Sequence, residues 1–220
     1  MINIGGNIVE MSVGNIPIKN AYVGSQLVWE KSSPLLYTEI EYLESTGTQY
    51  IETNVVPNAN TGIYIHVTCT DNSDTFIVGM RHGYGNTRWS IGHSSKFYYG
   101  YSTYASVNVS QSPAECWLNY LDSKKFRAKD NYGSDVTVNL PSLSFTPAYN
   151  IRLFGSAGIV ASYSKWKGKI YHVSITQGSD LIMDFIPVRV GQVGYMYDKV
   201  SKTLFGNAGS GSFTLGPDVT

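Results

Sequence analysis

The stretch Ile63-Tyr64-Ile65-His66-Val67-Thr68-Cys69 decides the fold of this chain. Apolar residues occupy every second position, and Tyr64, His66 and Thr68 stand between them. Because successive side chains of a strand point to opposite sides of a sheet, this period of two is typical of a strand with one buried face. The stretch therefore predicts a half-buried β-strand.

Similar strand signals recur about every ten residues from Leu35 onward, and the segments between them are rich in Gly, Asn and Ser. They cover residues 76–80, 88–91, 97–101, 136–140, 151–154, 171–175, 181–190 and 195–197. Residues 113–122 fit strand alternation better than a helix. Many antiparallel strands over this length favour a two-sheet sandwich or jelly roll over a small barrel. We therefore expect an all-β, two-sheet antiparallel jelly-roll sandwich.

The composition excludes some classes of function. Charged residues make up 15% of the 220 residues, and Lys+Arg 16 balances Asp+Glu 16, so the basic excess typical of a nucleic-acid-binding protein is absent. No apolar run reaches the roughly 20 residues of a membrane-spanning helix, so we expect no membrane insertion. The start of the sequence lacks signal-peptide features, which predicts assembly in a cytoplasm. We interpret Cys69 and Cys116 as two reduced core thiols rather than a bridge.

Residues 1–33 differ from the rest of the chain. Short apolar clusters alternate there with glycine-containing breaks, which predicts a small β-rich N-terminal module, and Pro34 follows a hinge-like pair of serines. So short a segment cannot bury its apolar residues by itself. We therefore expect residues 1–33 to pack on a partner or on copies of themselves, with a trimer favoured, and residues 34–220 to form the sandwich.

Several longer motifs are specific enough to suggest a family. They are Glu41-Tyr-Leu-Glu-Ser-Thr-Gly-Thr-Gln-Tyr-Ile-Glu-Thr-Asn54, Leu153-Phe-Gly155, Lys167-Gly-Lys-Ile-Tyr171, Met183-Asp-Phe-Ile-Pro-Val-Arg189, Gly194-Tyr-Met-Tyr-Asp-Lys-Val200 and Asn207-Ala-Gly-Ser-Gly-Ser-Phe213. The set resembles a family of phage-encoded virion domains, common in phages of gut bacteria, with a concanavalin A-like (laminin-G-like) jelly roll. The segment ending Tyr22-Val-Gly-Ser-Gln-Leu-Val-Trp-Glu-Lys31 is similar to the short module that precedes effector domains in phage tail and fibre proteins.

The resemblance implies a structural component of the virion that acts as an adhesion or decoration module. Residues 1–33 would dock it to other virion proteins, and the sandwich would contact glycans of a host surface or of mucus. Two alternatives stay open. One is a purely structural protein that cements the capsid or tail without a ligand, and the other is a jelly-roll glycan hydrolase.

Features that suggest catalysis or metal binding are weak. Glu39, Glu41 and Glu44 resemble the Glu-x-Asp-x-x-Glu run that jelly-roll glucanases carry on one strand, but the middle residue is Glu and the run opens the domain. We interpret it as the solvated face of a first strand and expect no enzyme. The four histidines lie far apart in sequence, without a nucleophile elbow. Residues 71–74, Asp-Asn-Ser-Asp, are a candidate calcium site that we interpret as an exposed turn, so we expect no cofactor.

The aromatic stretch between residues 81 and 104 is the candidate binding site. Flat rings beside short polar side chains suit the C–H faces and hydroxyls of sugars, although the same mixture suits protein contacts and core packing. Strand alternation places Tyr99 and Tyr101 on one face and Tyr98 on the other, so at most one set points outward. The candidate ligand-binding residues are Arg88, Trp89, Tyr98, Tyr99, Tyr101 and Tyr104.

Overall fold

The computed structural model describes residues 37–70, 75–82, 88–144, 146–158 and 166–220, together with the backbone of four short strands before residue 37. The chain divides into two compact units, residues 1–36 and 37–220.

The first unit contains two antiparallel strand pairs. Strands β1 (Ser12–Val13) and β2 (Ile16–Pro17) form one pair, and β3 (Asn20–Val23) and β4 (Gln26–Glu30) form the other. The apolar side chains expected to drive oligomerisation lie outside the described residues.

The described residues of the second unit form strands and one short 3-10 turn, η1 (Tyr120–Asp122). Its strands in chain order are β5 (Thr38–Glu39), β6 (Leu43–Thr46), β7 (Ile51–Glu52), β8 (Thr61–Cys69), β9 (Thr75–Arg81), β10 (Arg88–His93), β11 (Phe97–Tyr101), β12 (Tyr104–Ser106), β13 (Ala114–Leu118), β14 (Lys125–Asp130), β15 (Asp135–Asn139), β16 (Arg152–Leu153), β17 (Ala157–Gly158), β18 (Lys167–Gln177), β19 (Asp180–Val190), β20 (Val193–Asp198), β21 (Thr203–Phe205) and β22 (Thr214–Leu215). The expected strand over 113–122 is present as β13, and the end of that range forms η1.

These strands form two sheets. The larger sheet runs β15-β14-β13-β8-β18-β19-β20-β21, with β5, β6 and β22 joined to it, and the smaller runs β12-β11-β10-β9-β16-β7, with β17 beside β9. The described pairs are antiparallel except β17 with β9. The predicted all-β fold with two antiparallel sheets packed together as a sandwich is confirmed.

The core lies between the two sheets because apolar side chains alternate on the strands that face it. Ile63, Ile65 and Val67 of β8 are fully buried, and they join one cluster with Ile91 of β10 and Phe126 of β14. Burial of each such side chain contributes roughly 1.5–3 kcal/mol before the opposing entropy is counted. Cys116 is buried in the same cluster and Cys69 is half-buried, and both are thiols.

Two of the quoted motifs come together although they are more than 150 residues apart. The Thr48 hydroxyl donates to the carbonyl of Ser210 at 2.9 Å, and the Tyr50 amide donates to the Asn207 side chain at 3.2 Å. In the opposite direction, the Ala208 amide donates to the Tyr50 carbonyl and the Ser210 amide donates to the Thr48 carbonyl. The motifs around residues 41–54 and 207–213 therefore have a structural role, since each supplies the other's backbone hydrogen bonds.

The first and last segments of the sandwich also pair with each other. The Val219 amide donates to the Glu39 carbonyl at 2.9 Å, and the Glu41 amide donates to the Pro217 carbonyl at 2.9 Å. Between them, Ile40 and Asp218 form a β-bridge. The chain thus enters and leaves the sandwich at one place on the larger sheet.

Candidate functional site

The outer face of the larger sheet carries a row of side chains that crosses six adjacent strands. Residues that face each other across neighbouring antiparallel strands lie on the same side of the sheet. In strand order from β15 to β19, the row is Thr137, Arg127, Trp117, Tyr64, Ser174 and Asp184. At the usual interstrand spacing it spans about 24 Å.

A second row lies beside the first, one step along the strands. Glu115 faces His66 across β13 and β8, and His66 faces His172 across β8 and β18. Two histidines that are 106 positions apart in sequence therefore become direct neighbours on one surface.

An irregularity in β18 adds one further ring to this face. The pairing register with β8 shifts between Ile170 and His172, so the neighbours Tyr171 and His172 both contact outer-face side chains. The Tyr171 ring stacks on His66 with centroids 4.6 Å apart, and its hydroxyl lies 3.1 Å from that of Thr68. Tyr42 meets Tyr171 edge to face at 5.6 Å. The bulge thus extends the row of rings towards β6.

Tyr64 lies at the centre of these contacts. Its ring is 5.2 Å from that of Trp117, 5.5 Å from His172 and 6.2 Å from Tyr120, measured between centroids. The Tyr64 hydroxyl donates to Oε2 of Glu115 at 3.1 Å. Burial and the Glu115 carboxylate raise the pKa of Tyr64, so the hydroxyl stays protonated and fixed as a donor.

We call this set of half-buried rings the aromatic surface. It consists of Tyr42, Tyr64, His66, Trp117, Tyr120, Tyr171 and His172. Burial is the main cause that lowers the pKa of His66, and neighbouring His172 adds to it, although Glu115 acts in the opposite direction. The His66 ring is therefore neutral at pH 7.

Two charged groups on and beside the aromatic surface, Arg127 and Asp184, are paired within the protein. Arg127 donates twice to Asp135, at 2.8 and 2.6 Å, and its guanidinium lies 4.8 Å from the centroid of Trp117. Asp184 lies 2.6 Å from Nε2 of His172 and 2.8 Å from Nζ of Lys199. Burial acts to raise the pKa of Asp184, but the hydrogen bonds from Lys199 and His172 outweigh it and the net shift is downward.

A shallow depression of about 190 Å³ lies at the β14 end of the aromatic surface. Its lining combines two rings, two hydroxyl side chains and two cations: Trp117, Tyr120, Ser123, Thr137, Lys125 and Arg127. Tyr120 is placed there by η1, where the Leu121 amide donates to the Thr176 hydroxyl at 3.3 Å.

The arrangement provides stacking rings and hydrogen bonds rather than a nucleophile. Ser174 donates to Asp184 at 3.4 Å instead of to His172, so His172 does not activate the serine hydroxyl. Within the described residues, no group of three His, Cys, Asp or Glu side chains is placed to hold a metal ion. The candidate calcium segment, residues 71–74, lies outside them.

The glutamate run is divided between two strands. Glu39 belongs to β5, which pairs with β19, whereas Glu44 belongs to β6, which pairs with β18 and faces Lys169. Glu41 lies in the break between them and is exposed. The alternation that aims three carboxylates from one strand into a cleft is therefore absent from this segment.

Most of the aromatic candidates chosen from the sequence pack inside the sandwich. Trp89, Tyr99 and Tyr101 are 0%, 7% and 4% exposed and belong to the core cluster. Tyr98 points to the opposite side of its sheet, as alternation requires, yet it is 1% exposed because its ring lies over Gly92 and meets Phe76 edge to face. These four rings therefore contribute to packing in this structure and not to a solvated surface.

The other two candidates reach the surface of the smaller sheet. Tyr104 is 45% exposed, and the guanidinium of half-buried Arg88 lies 5.1 Å from the centroid of its ring. The structure does not bring either residue to the aromatic surface, which lies on the other sheet.

The sequence signal for the aromatic surface was present in the stretch that decides the fold. The alternation that buries Ile63 and Ile65 places Tyr64 and His66 on the opposite face, and the same argument applied to β13 turns Glu115 and Trp117 outward. Clustering of aromatic residues along the chain does not indicate this surface, because its residues are adjacent across strands and distant in sequence.

Comparison with models of protein families and with curated proteins finds no match for this chain. No helix in the described part of the chain has the length and apolar character needed to cross a bilayer.

Proposed function

We propose that the chain is a non-enzymatic adhesion or decoration module of a phage virion, and that it binds glycans through the aromatic surface of the larger sheet. The observation that carries the proposal is the row of half-buried rings across β13, β8 and β18, set among hydroxyl, imidazole and carboxylate groups that are already oriented. The phage origin, the virion location and the concanavalin A-like jelly-roll connectivity rest on the motif resemblance.

The chemistry of the aromatic surface suits sugars better than other ligands. Tyr42, Tyr64, Trp117 and Tyr171 are half-buried, so part of each ring stays accessible to the C–H faces of pyranose rings. Since Arg127 is held by Asp135, the row lacks the excess of unpaired cations that a nucleic acid requires. A linear glycan laid across the strands would meet a ring at each of several successive positions.

The carboxylates of this face support binding rather than hydrolysis. Glu115 accepts the Tyr64 hydroxyl, and Asp184 accepts from both His172 and Lys199. A glycosidase needs one carboxyl group free to protonate the leaving oxygen and a second free to act as nucleophile or base. Groups fixed as acceptors orient the surface and leave the rings to make the contacts.

A glycan array with the full-length protein tests the proposal. We expect the wild type to bind at least one class of glycan, and Trp117→Ala and Tyr64→Ala to weaken that binding about tenfold or more, as for central aromatic anchors. Tyr132→Ala is the matched control, because Tyr132 is 70% exposed on the turn between β14 and β15. Circular dichroism melts confirm that each variant is folded.

The outcomes separate this proposal from its alternatives. Wild-type protein that binds no glycan and yet assembles on particles would favour the purely structural role. Release of reducing ends from a bound glycan would favour the hydrolase. Binding that survives Trp117→Ala and Tyr64→Ala would show that the ligand lies elsewhere and would refute the assigned site.

A further inference from the structure

We infer that the depression at the β14 end of the aromatic surface takes an anionic sugar of the glycan, with its carboxylate or sulfate held by Lys125. The inference rests on the proposed function and adds to it the class of sugar and the residue that selects it.

The charge balance of the depression is the first observation. Its six lining residues include Lys125 and Arg127 and no carboxylate. Both hydrogen bonds of the Arg127 guanidinium go to Asp135, which stands outside the lining, so that charge is compensated. Lys125 is exposed, and it forms no ion pair with any described residue. One uncompensated positive charge therefore remains at the mouth of the depression.

The position of Lys125 relative to the rings is the second observation. Lys125, Arg127 and Lys129 share the outer face of β14, and Arg127 is the residue opposite Trp117. Lys125 lies on the side of Arg127 where η1 places Tyr120. A sugar ring against Trp117 and Tyr120 would thus direct a ring substituent towards the ammonium group, and the Ser123 and Thr137 hydroxyls would lie within the same lining.

The size of the depression limits what it accepts. A volume of about 190 Å³ is below the range of pockets that enclose drug-sized ligands, which suits one ring at the end or at a branch of a glycan. A polyanion such as a nucleic acid needs several unpaired cations along a track, whereas this site offers one. A single anionic sugar therefore fits both the volume and the charge.

Paired ligands that differ in one group test the inference. Glucuronate-terminated oligosaccharides are compared with their glucose-terminated counterparts and with sulfated forms of the latter, using full-length protein and calorimetry. Because an exposed ion pair contributes about 0.2–1 kcal/mol, we expect wild type to prefer the anionic form by up to about fivefold, and the preference to narrow as salt is raised.

Two lysine variants assign the effect to a residue. Lys125→Met removes the charge and keeps most of the aliphatic stem, so it should abolish the preference and bring the affinity for the anionic form down to that for the glucose-terminated form. Lys129→Met is the matched control from the same strand and face, outside the lining, and should keep the preference. The glucuronate and sulfate arms show which anion is favoured.

Each other result counts against the inference. Equal wild-type binding of anionic and neutral forms, or a preference that survives Lys125→Met, overturns the assignment of an anionic sugar and leaves glycan binding intact. Wild-type protein that binds none of these ligands, nor any other glycan on the array, overturns both proposals.

Discussion

Replacing Asn119 by Ala should cost this sandwich several kcal/mol. Asn119 is 0% exposed and directly precedes η1, which carries Tyr120. Its Nδ2 donates to the carbonyls of Ala59 at 3.0 Å and Thr61 at 3.2 Å, and its Oδ1 accepts from the Lys124 amide at 3.0 Å. The residue also has φ 49° and ψ 23°, a left-handed conformation that Asn tolerates better than Ala.

The magnitude follows from these two contributions. Three hydrogen bonds, one buried and two part-buried, at about 1 kcal/mol each give about 3 kcal/mol, and the left-handed backbone adds about 1 kcal/mol for Ala. A total of about 4 kcal/mol corresponds to a fall in Tm of roughly 10 °C for a unit of this size. Asn119→Gly loses the same bonds without the steric cost, so it should be about 1 kcal/mol more stable than Asn119→Ala.

Urea unfolding followed by circular dichroism measures both variants. Asn54→Ala is the control for the backbone term, because Asn54 is exposed and has φ 62°, so it should lose about 1 kcal/mol. If Asn119→Ala lies within 1 kcal/mol of wild type, or if Asn119→Gly is no more stable than Asn119→Ala, the reasoning from this hydrogen-bond network is wrong.

Three further predictions follow from the same structure. The hydrogen bonds to Asp184 lower its pKa in the folded state, so the ionised carboxylate stabilises the fold above about pH 4 and this stabilisation is lost as the pH falls through the lower folded pKa. Asp184→Asn should therefore reduce the loss of unfolding free energy at acid pH, as measured by urea unfolding at a series of pH values. A Cβ at Gly92 would overlap the Tyr98 ring, so Gly92→Ala should lose about 1–3 kcal/mol in a thermal melt, and a smaller residue at position 98 should restore part of that loss. Residues 37–220 expressed alone should melt cooperatively, since every residue of the described core cluster belongs to that unit. A product without a cooperative transition would contradict the division of the chain.

The sandwich was predictable from the sequence wherever one face of a strand is solvated. In β8 the alternation of Ile63 and Ile65 with Tyr64 and His66 survives in the structure as alternating burial, and the same is true of β13 and β14. In such strands the sequence alone predicts which side chains face the core, because a shift of one residue would expose every apolar side chain of the strand.

Alternation stops being informative where both faces of a strand are covered. Every residue of β11 is buried, so Tyr98 and Tyr99 are equally enclosed although they point in opposite directions. The residue types alone do not distinguish a tyrosine on a solvated face from one packed over Gly92. This is why the aromatic stretch, the most conspicuous feature of the sequence, supplied mostly packing residues.

The aromatic surface required information that no single segment contains. The contact of His66 with Tyr171 depends on the pairing of β8 with β18 and on the bulge beside His172, which adds a second consecutive side chain to one face. Cross-strand neighbours are set by topology, and bulges by local competition between packing and pairing, so neither is written in a period-two pattern.

The pairing of Glu39 with Val219 has a topological consequence. Because the two ends of the sandwich are joined by backbone hydrogen bonds, a short peptide could link residues near 37 and 219 without crossing the molecule. The chain could then be opened instead at the exposed turn between β14 and β15, giving a circular permutant with the same pairs of strands. In such a molecule the order of the strands along the chain changes while the aromatic surface is preserved. The positions of the chain termini and the pairing of the strands are thus independent properties of this sandwich.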